Sequence, residues 1–182
     1  MIILVGPSAS GKSEISKYLC KNYNYKKFVT TTTRNKRIGE IDGIDYHFVD
    51  KTSFLHLIKE HKLIEYTLYN NNYYGTEKKN ISLNTILIVD PNGLIAFNKL
   101  NDPTIITFFL NCKKEIRKQR MINRLDDEIT ISTRLEIDDE NFSNDNIKSV
   151  NYTIDTSNIP IKDISMLIND IYVENISNLK NQ

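Results

Sequence analysis

The sequence lacks the features that mark membrane-spanning or disulfide-stabilised proteins. No stretch approaches the roughly 20 apolar residues of a transmembrane helix, and the apolar opening, residues 1–5, is too short for a secretory signal peptide. The only cysteines, Cys20 and Cys112, lie far apart and without metal-ligand spacing. A chain of this length can stabilise itself without disulfides. We therefore expect a cytoplasmic protein with reduced thiols that contacts no membrane.

An excess of charge of either sign is also absent. The 24 basic and 23 acidic residues nearly cancel, which argues against a surface built to coat nucleic acid. No internal repeat or linker divides the chain, and the sequence identifies no protein partner. With 182 residues, 40% of them hydrophobic, one main domain with a well-buried core is expected.

Continuous apolar runs predict the main sheet. They occupy residues 2–5, 85–89, 105–110 and 150–154, and such runs are typical of strands buried on both faces. Apolar residues at helical spacing follow the first run, over residues 12–22, and recur after Pro160. This alternation of strands and helices predicts an α/β fold with a five-stranded parallel sheet.

Two segments interrupt the alternation. Residues 28–76 mix short alternating strands with one short helix, which predicts an inserted α+β subdomain. Residues 113–146 are helical and strongly charged, with few apolar residues, which predicts a mobile lid. The remaining residues, 1–27, 77–112 and 147–182, would form the core of the single domain.

The clearest motif is Gly6-Pro7-Ser8-Ala9-Ser10-Gly11-Lys12-Ser13, which matches G-x-x-x-x-G-K-[ST] between a predicted strand and a predicted helix. We call these residues the glycine loop. Its glycines let backbone N–H groups converge on phosphate oxygens at the positive end of a helix dipole. Lys12 is suited to neutralise phosphate charge, and the Ser13 hydroxyl to bind Mg²⁺. The loop by itself therefore predicts only that a nucleotide phosphate is bound, since many unrelated activities share it.

A second motif follows. Residues 31–49, T-T-T-R-N-K-R-I-G-E-I-D-G-I-D-Y-H-F-V, resemble the guanylate kinase signature T-T-R-x-x-R-x-G-E-x-x-G-x-D-Y-x-F. Glu65 in L-I-E-Y and the run N-Y-Y-G-T at residues 72–76 continue the match. The resemblance spans most of the chain and is densest over residues 6–76. It implies a kinase that moves the terminal phosphoryl group of ATP onto GMP or dGMP, with Mg²⁺ as cofactor.

The resemblance also implies roles for single residues. Arg34 and Arg37 would clamp the phosphate of the monophosphate through charge-assisted hydrogen bonds. Glu65 would select guanine, because a carboxylate offers only acceptors and guanine presents two adjacent donors, N1–H and the 2-amino group. The implied GMP-binding set is completed by Thr30, Tyr46, Tyr74, Thr76 and Asp90.

Arginines in the predicted lid complete the expected catalytic set. Arg120 and Arg124 are one helical turn apart, and Arg134 resembles the second lid arginine of the family. Arginines aimed at developing charge are the main protein contribution to phosphoryl transfer. The predicted catalytic residues are Lys12, Arg34, Arg120, Arg124 and Arg134. Their basic neighbours are interpreted as a solvated helix face, namely Lys113, Lys114, Arg117 and Lys118.

The chain departs from the family pattern at two points. The usual D-x-D-x-Q-G reads Ile88-Val89-Asp90-Pro91-Asn92-Gly93 here, which leaves Asp90 as the one acid able to orient Mg²⁺ or the substrate. The usual R-G-T after the first lid arginines is replaced by Arg124-Leu125-Asp126-Asp127. Two alternatives stay open: a kinase on the same scaffold for a ribose bisphosphate or several deoxynucleoside monophosphates, and an inactive binding module.

Overall fold

The computed structural model describes residues 1–36, 40–69, 71–143, 147 and 149–181. It divides into two compact units. The first, which we call the core unit, consists of Met1–Lys27 and Leu83–Gln182. The second, the inserted unit, is Phe28–Ser82.

The described residues form the following elements in chain order: β1 (Ile2–Val5), α1 (Lys12–Asn22), β2 (Lys26–Lys27), β3 (Thr31–Thr32), β4 (His47–Phe48), α2 (Lys51–Lys59), β5 (Leu63–Tyr69), β6 (Asn72–Glu77), a 3₁₀ turn (Lys78–Asn80), β7 (Thr85–Val89), α3 (Pro91–Asn98), β8 (Ile106–Asn111), α4 (Lys114–Asn123), α5 (Glu128–Asn141), β9 (Tyr152–Asp155) and α6 (Ile161–Lys180). None of the helices in these ranges is long and apolar enough to cross a membrane.

The core unit contains a five-stranded parallel sheet of order β2-β7-β1-β8-β9. This arrangement confirms the predicted fold class. β1 lies at the centre, and all four of its residues are buried, as expected for a strand covered on both faces. β2 had no predictive signal, because its two residues, Lys26 and Lys27, are exposed lysines.

Alternate residues of β1 serve different faces of the sheet, because side chains alternate along a strand. Leu4 belongs to a large apolar cluster with residues of α1 and α6, among them Ile15 and Ile168. Val5 instead packs in a second cluster with Leu94 of α3 and Phe109 of β8. The core unit is thus a sheet with helices on both faces. The glycine loop follows directly on β1, the central strand of this sheet.

The segment after β7 is the beginning of a helix. Asp90 is the N-cap of α3, its carboxylate accepts a hydrogen bond of 2.8 Å from the Gly93 N–H, and Pro91 occupies the first turn. A proline is tolerated there because the first N–H groups of a helix have no partner within the helix. Asp90 therefore has a structural task of its own.

The inserted unit contains a mixed sheet of order β4-β3-β6-β5. β3 pairs in parallel with β4, whereas the β3–β6 and β5–β6 pairs are antiparallel. Helix α2 packs Phe54 against Tyr73 of β6, with ring centroids 5.2 Å apart. Strands and a single α-helix thus make up the described part of this unit. The boundaries 28–76 and 113–146, as functional parts of one domain, stay predictions.

Helices α4 and α5 are anchored more firmly than their composition indicates. Met121 of α4 packs with Ile131 and Leu135 of α5, all three are buried, and Ala9 of the glycine loop contacts the same cluster. The segment has few apolar residues, as expected, but these three are buried; that it moves as a lid stays a prediction. Three well-placed apolar residues suffice because they lie on facing sides of two short helices.

Candidate functional site

The glycine loop needs glycine at its first position. Gly6 has a φ of 155°, and a Cβ there would lie 2.7 Å from the carbonyl oxygen of Leu110 in β8. Gly11 closes the loop with a φ of 100° as the N-cap of α1. The chain therefore turns from β1 into α1 in a geometry that other residues adopt only with strain.

Lys12 points back into the loop. Its ammonium group donates hydrogen bonds to the carbonyl oxygens of Gly6 and Pro7, the latter at 2.8 Å. Burial lowers the pKa of Lys12 from its ordinary value to about 8; the Asp138 carboxylate opposes this shift and the Arg117 guanidinium adds to it. Burial thus weakens the hold of the Lys12 ammonium group on its proton, and the Asp138 carboxylate counteracts that effect.

A cavity of about 600 Å³ opens beside the glycine loop. The loop side of its wall consists of residues 9–14, with the half-buried Lys12 and the exposed Ser13 and Glu14 among them. The opposite side consists of α4 and the start of α6: Arg120, Asn123, Arg124, Ile159, Pro160 and Ile161. Three basic groups, the carboxylate of Glu14 and several apolar carbons thus line one space, a mixture that suits a ligand with both phosphates and a flat base.

The three arginines predicted to belong to a lid all contact partners within the core unit. Arg120 donates to the Ala9 carbonyl of the glycine loop at 3.0 Å and to the Thr156 carbonyl at 2.6 Å. Arg124 and Arg134 both contact one carboxylate, that of Asp126, at 3.0 and 3.1 Å. The sequence did not indicate Asp126 as the shared partner, although it lies within the segment that departs from the family pattern.

One basic residue of the supposed solvated face is buried. Arg117 is 4% exposed, and it donates to the carboxylate of Asp138 in α5 at 2.9 Å. Asp138, itself 7% exposed, also accepts from the backbone N–H of Ser8 at 2.8 Å. The interpretation of Arg117 as solvated is therefore wrong. Its neighbours are exposed as expected: Lys113, Lys114 and Lys118.

In the inserted unit, one predicted arginine lies among aromatic rings. The guanidinium carbon of Arg34 is 5.5 Å from the ring centroid of Tyr46, and the Tyr46 and Tyr74 rings meet edge to face at 6.1 Å. Arg34 also forms an ion pair of 2.7 Å with Glu40. The structure thus brings Arg34, Tyr46 and Tyr74 together. Arg37 lies outside the described residues.

Two other predicted GMP-binding residues meet on adjacent strands. Glu65 of β5 and Thr76 of β6 are paired in the sheet, and the Thr76 hydroxyl donates a hydrogen bond to the Glu65 carboxylate. Glu65 is half-buried. The Thr76 hydroxyl therefore fixes the orientation of the Glu65 carboxylate.

Thr30, another predicted GMP-binding residue, is half-buried too. Its carbonyl accepts a hydrogen bond of 2.8 Å from the His47 N–H.

The comparisons with known proteins are consistent with the five-stranded parallel α/β fold of the P-loop type. The solved guanylate kinase of Anaplasma phagocytophilum is similar to 94% of this chain, with 82% of its own length covered, a TM-score of 0.64 and 26% identity. A gluconokinase from Sinorhizobium meliloti, with a TM-score of 0.58 and 14% identity over all of this chain and 95% of its own, shares the fold alone.

Sequence comparisons are more specific. The family model for guanylate kinase matches residues 1–159. The guanylate kinase of Rickettsia typhi is 36% identical over 144 residues, which is 75% of this chain and 73% of that protein. The guanylate kinase of Rickettsia conorii is 32% identical over 176 residues, covering 92% of this chain and 77% of its own. The chain belongs to the guanylate kinase family.

Proposed function

We propose that the protein is a nucleoside monophosphate kinase of the guanylate kinase type, which transfers the terminal phosphoryl group of ATP to GMP or dGMP. Family membership supports the reaction class. The choice of a guanine nucleotide as the substrate that receives the phosphoryl group rests on one observation: the Thr76 hydroxyl contacts the half-buried Glu65 carboxylate.

Glu65 supports guanine as the base. An ionised carboxylate has only acceptors, so it pairs with the N1–H and 2-amino donors of guanine and leaves adenine without a matching donor pair. Because Thr76 donates to one oxygen, the carboxylate is held in one orientation before a base arrives. A site of this kind discriminates strongly against the wrong base, because a bound adenine would cover the half-buried carboxylate without offering it a matching donor pair.

Arg34 supports a monophosphate as the second group recognised in the inserted unit. Its guanidinium lies over the Tyr46 ring and forms an ion pair with Glu40. The N–H donors of the guanidinium therefore have a fixed direction before a ligand binds. A guanidinium binds phosphate oxygens through two parallel hydrogen bonds, and neighbouring phenols such as Tyr74 can add donors. The ion pair with Glu40 offsets the arginine charge until a phosphate replaces that carboxylate as partner.

The glycine loop and the cavity beside it support ATP as the donor. Lys12 would exchange the carbonyls of Gly6 and Pro7 for phosphate oxygens, and Arg120 and Arg124 line the same space. Arg134 shares the Asp126 carboxylate with Arg124, which places the two guanidinium groups near each other. These four cations would stabilise the charge that develops on the transferring group, which is the main task of a protein in this chemistry.

Mg²⁺ fits the residues present. Among the described residues no group of three or more His, Cys, Asp or Glu side chains is arranged to hold a metal ion. Mg²⁺ at this site would be bound mainly by substrate phosphates. Ser13 would supply the protein ligand, because its hydroxyl is exposed and lines the cavity. Bound Mg²⁺ would neutralise charge on the β- and γ-phosphates. Asp90 could contribute a further oxygen, since only one of its two carboxylate oxygens accepts the hydrogen bond that caps α3.

The decisive experiment measures ADP release in the presence of ATP, Mg²⁺ and each ribo- and deoxyribonucleoside monophosphate in turn. We expect turnover with GMP or dGMP to exceed that with AMP by at least about a thousandfold. Lys12→Met, a neutral side chain of similar length, should lower kcat at least about a hundredfold without loss of the folded state. Equal use of AMP and GMP would refute the assignment.

We further propose that the enzyme works in the cytoplasm, with these nucleotides as its partners.

A further inference from the structure

A buried ion pair outside the predicted site touches the glycine loop. The side chains of Arg117 in α4 and Asp138 in α5 are 5% and 9% exposed. Each charge is almost fully removed from water, which is costly unless its partners compensate. Arg117 also donates to the Cys112 carbonyl, at 3.3 Å, and to Asp139.

Asp138 connects this pair to the loop. One carboxylate oxygen accepts hydrogen bonds from the Ser8 N–H at 2.8 Å and from Arg117 at 2.9 Å, and the other lies 3.3 Å from the Ser8 hydroxyl oxygen. The bonded residues are 130 positions apart in the chain. A backbone N–H in a tight loop needs a partner to keep its direction, and Asp138 supplies that partner for Ser8.

We propose that Asp138, oriented by Arg117, is a positioning residue that fixes the entry of the glycine loop in the conformation that receives the triphosphate. It acts through Ser8 and touches no substrate itself. The inference rests on the proposed function of the loop as the ATP site.

The same contact fixes the helix that carries Arg134. Arg134 and Asp138 are four residues apart in α5 and therefore lie on the same side of that helix. Ile131 and Leu135 pack against Met121 and Ala9 on the loop side. The Ser8–Asp138 hydrogen bond thus sets the distance between the glycine loop and α5, and a loop that loses it would bind ATP less tightly.

Two double variants distinguish a residue that positions the glycine loop from one that only stabilises the packing of α4 against α5. Both replace Arg117 with Leu, so that no buried charge is left unpaired. Asp138→Asn retains an oxygen that can accept from the Ser8 N–H, whereas Asp138→Ala removes it. Apolar replacement of a buried ion pair is often neutral for stability, and thermal unfolding would verify that both variants fold. If the Ala variant does not fold, Asp138→Ser takes its place, because its side chain is too short to reach Ser8.

The measurement is the KM for ATP and, separately, for GMP. We expect Arg117→Leu with Asp138→Ala to raise the KM for ATP about tenfold, the effect of one lost hydrogen bond to a buried group, with the KM for GMP unchanged. Arg117→Leu with Asp138→Asn should restore ATP binding to within about threefold of the parent. Asp139→Ala is the matched control: it removes the other carboxylate partner of Arg117, which is half-exposed, without touching the loop, and should leave the KM for ATP unchanged.

The outcomes distinguish this inference from the proposed function. If the parent chain does not use ATP and GMP, the proposed function fails and the inference fails with it. If the parent is active and both double variants have its KM for ATP, only the inference is refuted, and the ion pair merely braces α4 against α5. The same conclusion follows if the KM values for ATP and GMP rise together, because a positioning role at the glycine loop concerns ATP alone.

Discussion

Replacing Gly6 with alanine tests the geometry of the glycine loop most directly. The added Cβ would lie 2.7 Å from the Leu110 carbonyl oxygen, 3.0 Å from the Ser10 hydroxyl oxygen and 3.3 Å from the Leu110 Cβ. The first contact is with backbone in the strand next to β1, so no side-chain rotation relieves it. Strand β1 or β8 would have to shift in a sheet whose central residues are fully buried.

The expected cost has two parts. A backbone conformation reserved for glycine costs about 1–3 kcal/mol, and overpacking of a well-packed site costs about 1–3 kcal/mol more. A total near 4 kcal/mol would lower the Tm by roughly 10 °C, since each kcal/mol corresponds to about 2–4 °C in a chain of this size. Thermal unfolding followed by circular dichroism measures the shift.

Gly43→Ala is the matched control. Gly43 has a φ of 76°, but the nearest atom to an added Cβ is the His47 Cε1 at 4.0 Å, so the control introduces backbone strain without a clash. Its cost should be about 1–2 kcal/mol, and therefore a clearly smaller fall in Tm. If the two variants melt at the same temperature, the close approach of Gly6 to β8 is not a constraint on this protein, and the argument for glycine at that position fails.

Two further predictions concern single carboxylates. Glu65→Gln turns one acceptor into a donor that faces a guanine donor, so the KM for GMP should rise at least about tenfold with the KM for ATP unchanged; if the preference for GMP over AMP persists, another residue selects the base. Asp90→Ala should lower the free energy of unfolding by about 1 kcal/mol because α3 loses its cap, and chemical denaturation should show that Asp90→Ser restores most of it; a serine variant that is stable but poorly active would indicate a second role for the carboxylate beyond the cap.

Local patterns in the sequence were enough to predict the parallel sheet and the position of the glycine loop. Residues 2–5 are continuously apolar and lead directly into Gly6, and both properties depend on neighbours in the chain. The start of α3 also depends on chain neighbours, because an Asp-Pro pair before an apolar run provides a cap and a first-turn proline, although we predicted for Asp90 only a role toward Mg²⁺ or the substrate. β2 could not be predicted, because it pairs with β7 through backbone groups and its two lysine side chains show neither an apolar run nor an apolar–polar alternation.

Only the tertiary structure decided which charges in α4 and α5 are buried. Arg117 and Lys118 are adjacent basic residues in the same helix, yet Arg117 is buried and Lys118 is exposed. The difference arises from partners that are distant in sequence: Asp138, 21 residues away, compensates the buried guanidinium, and Ser8, 130 residues from Asp138, completes the set of hydrogen bonds. A charge enters the interior only where such partners meet it, and the positions of those partners are a property of the folded chain.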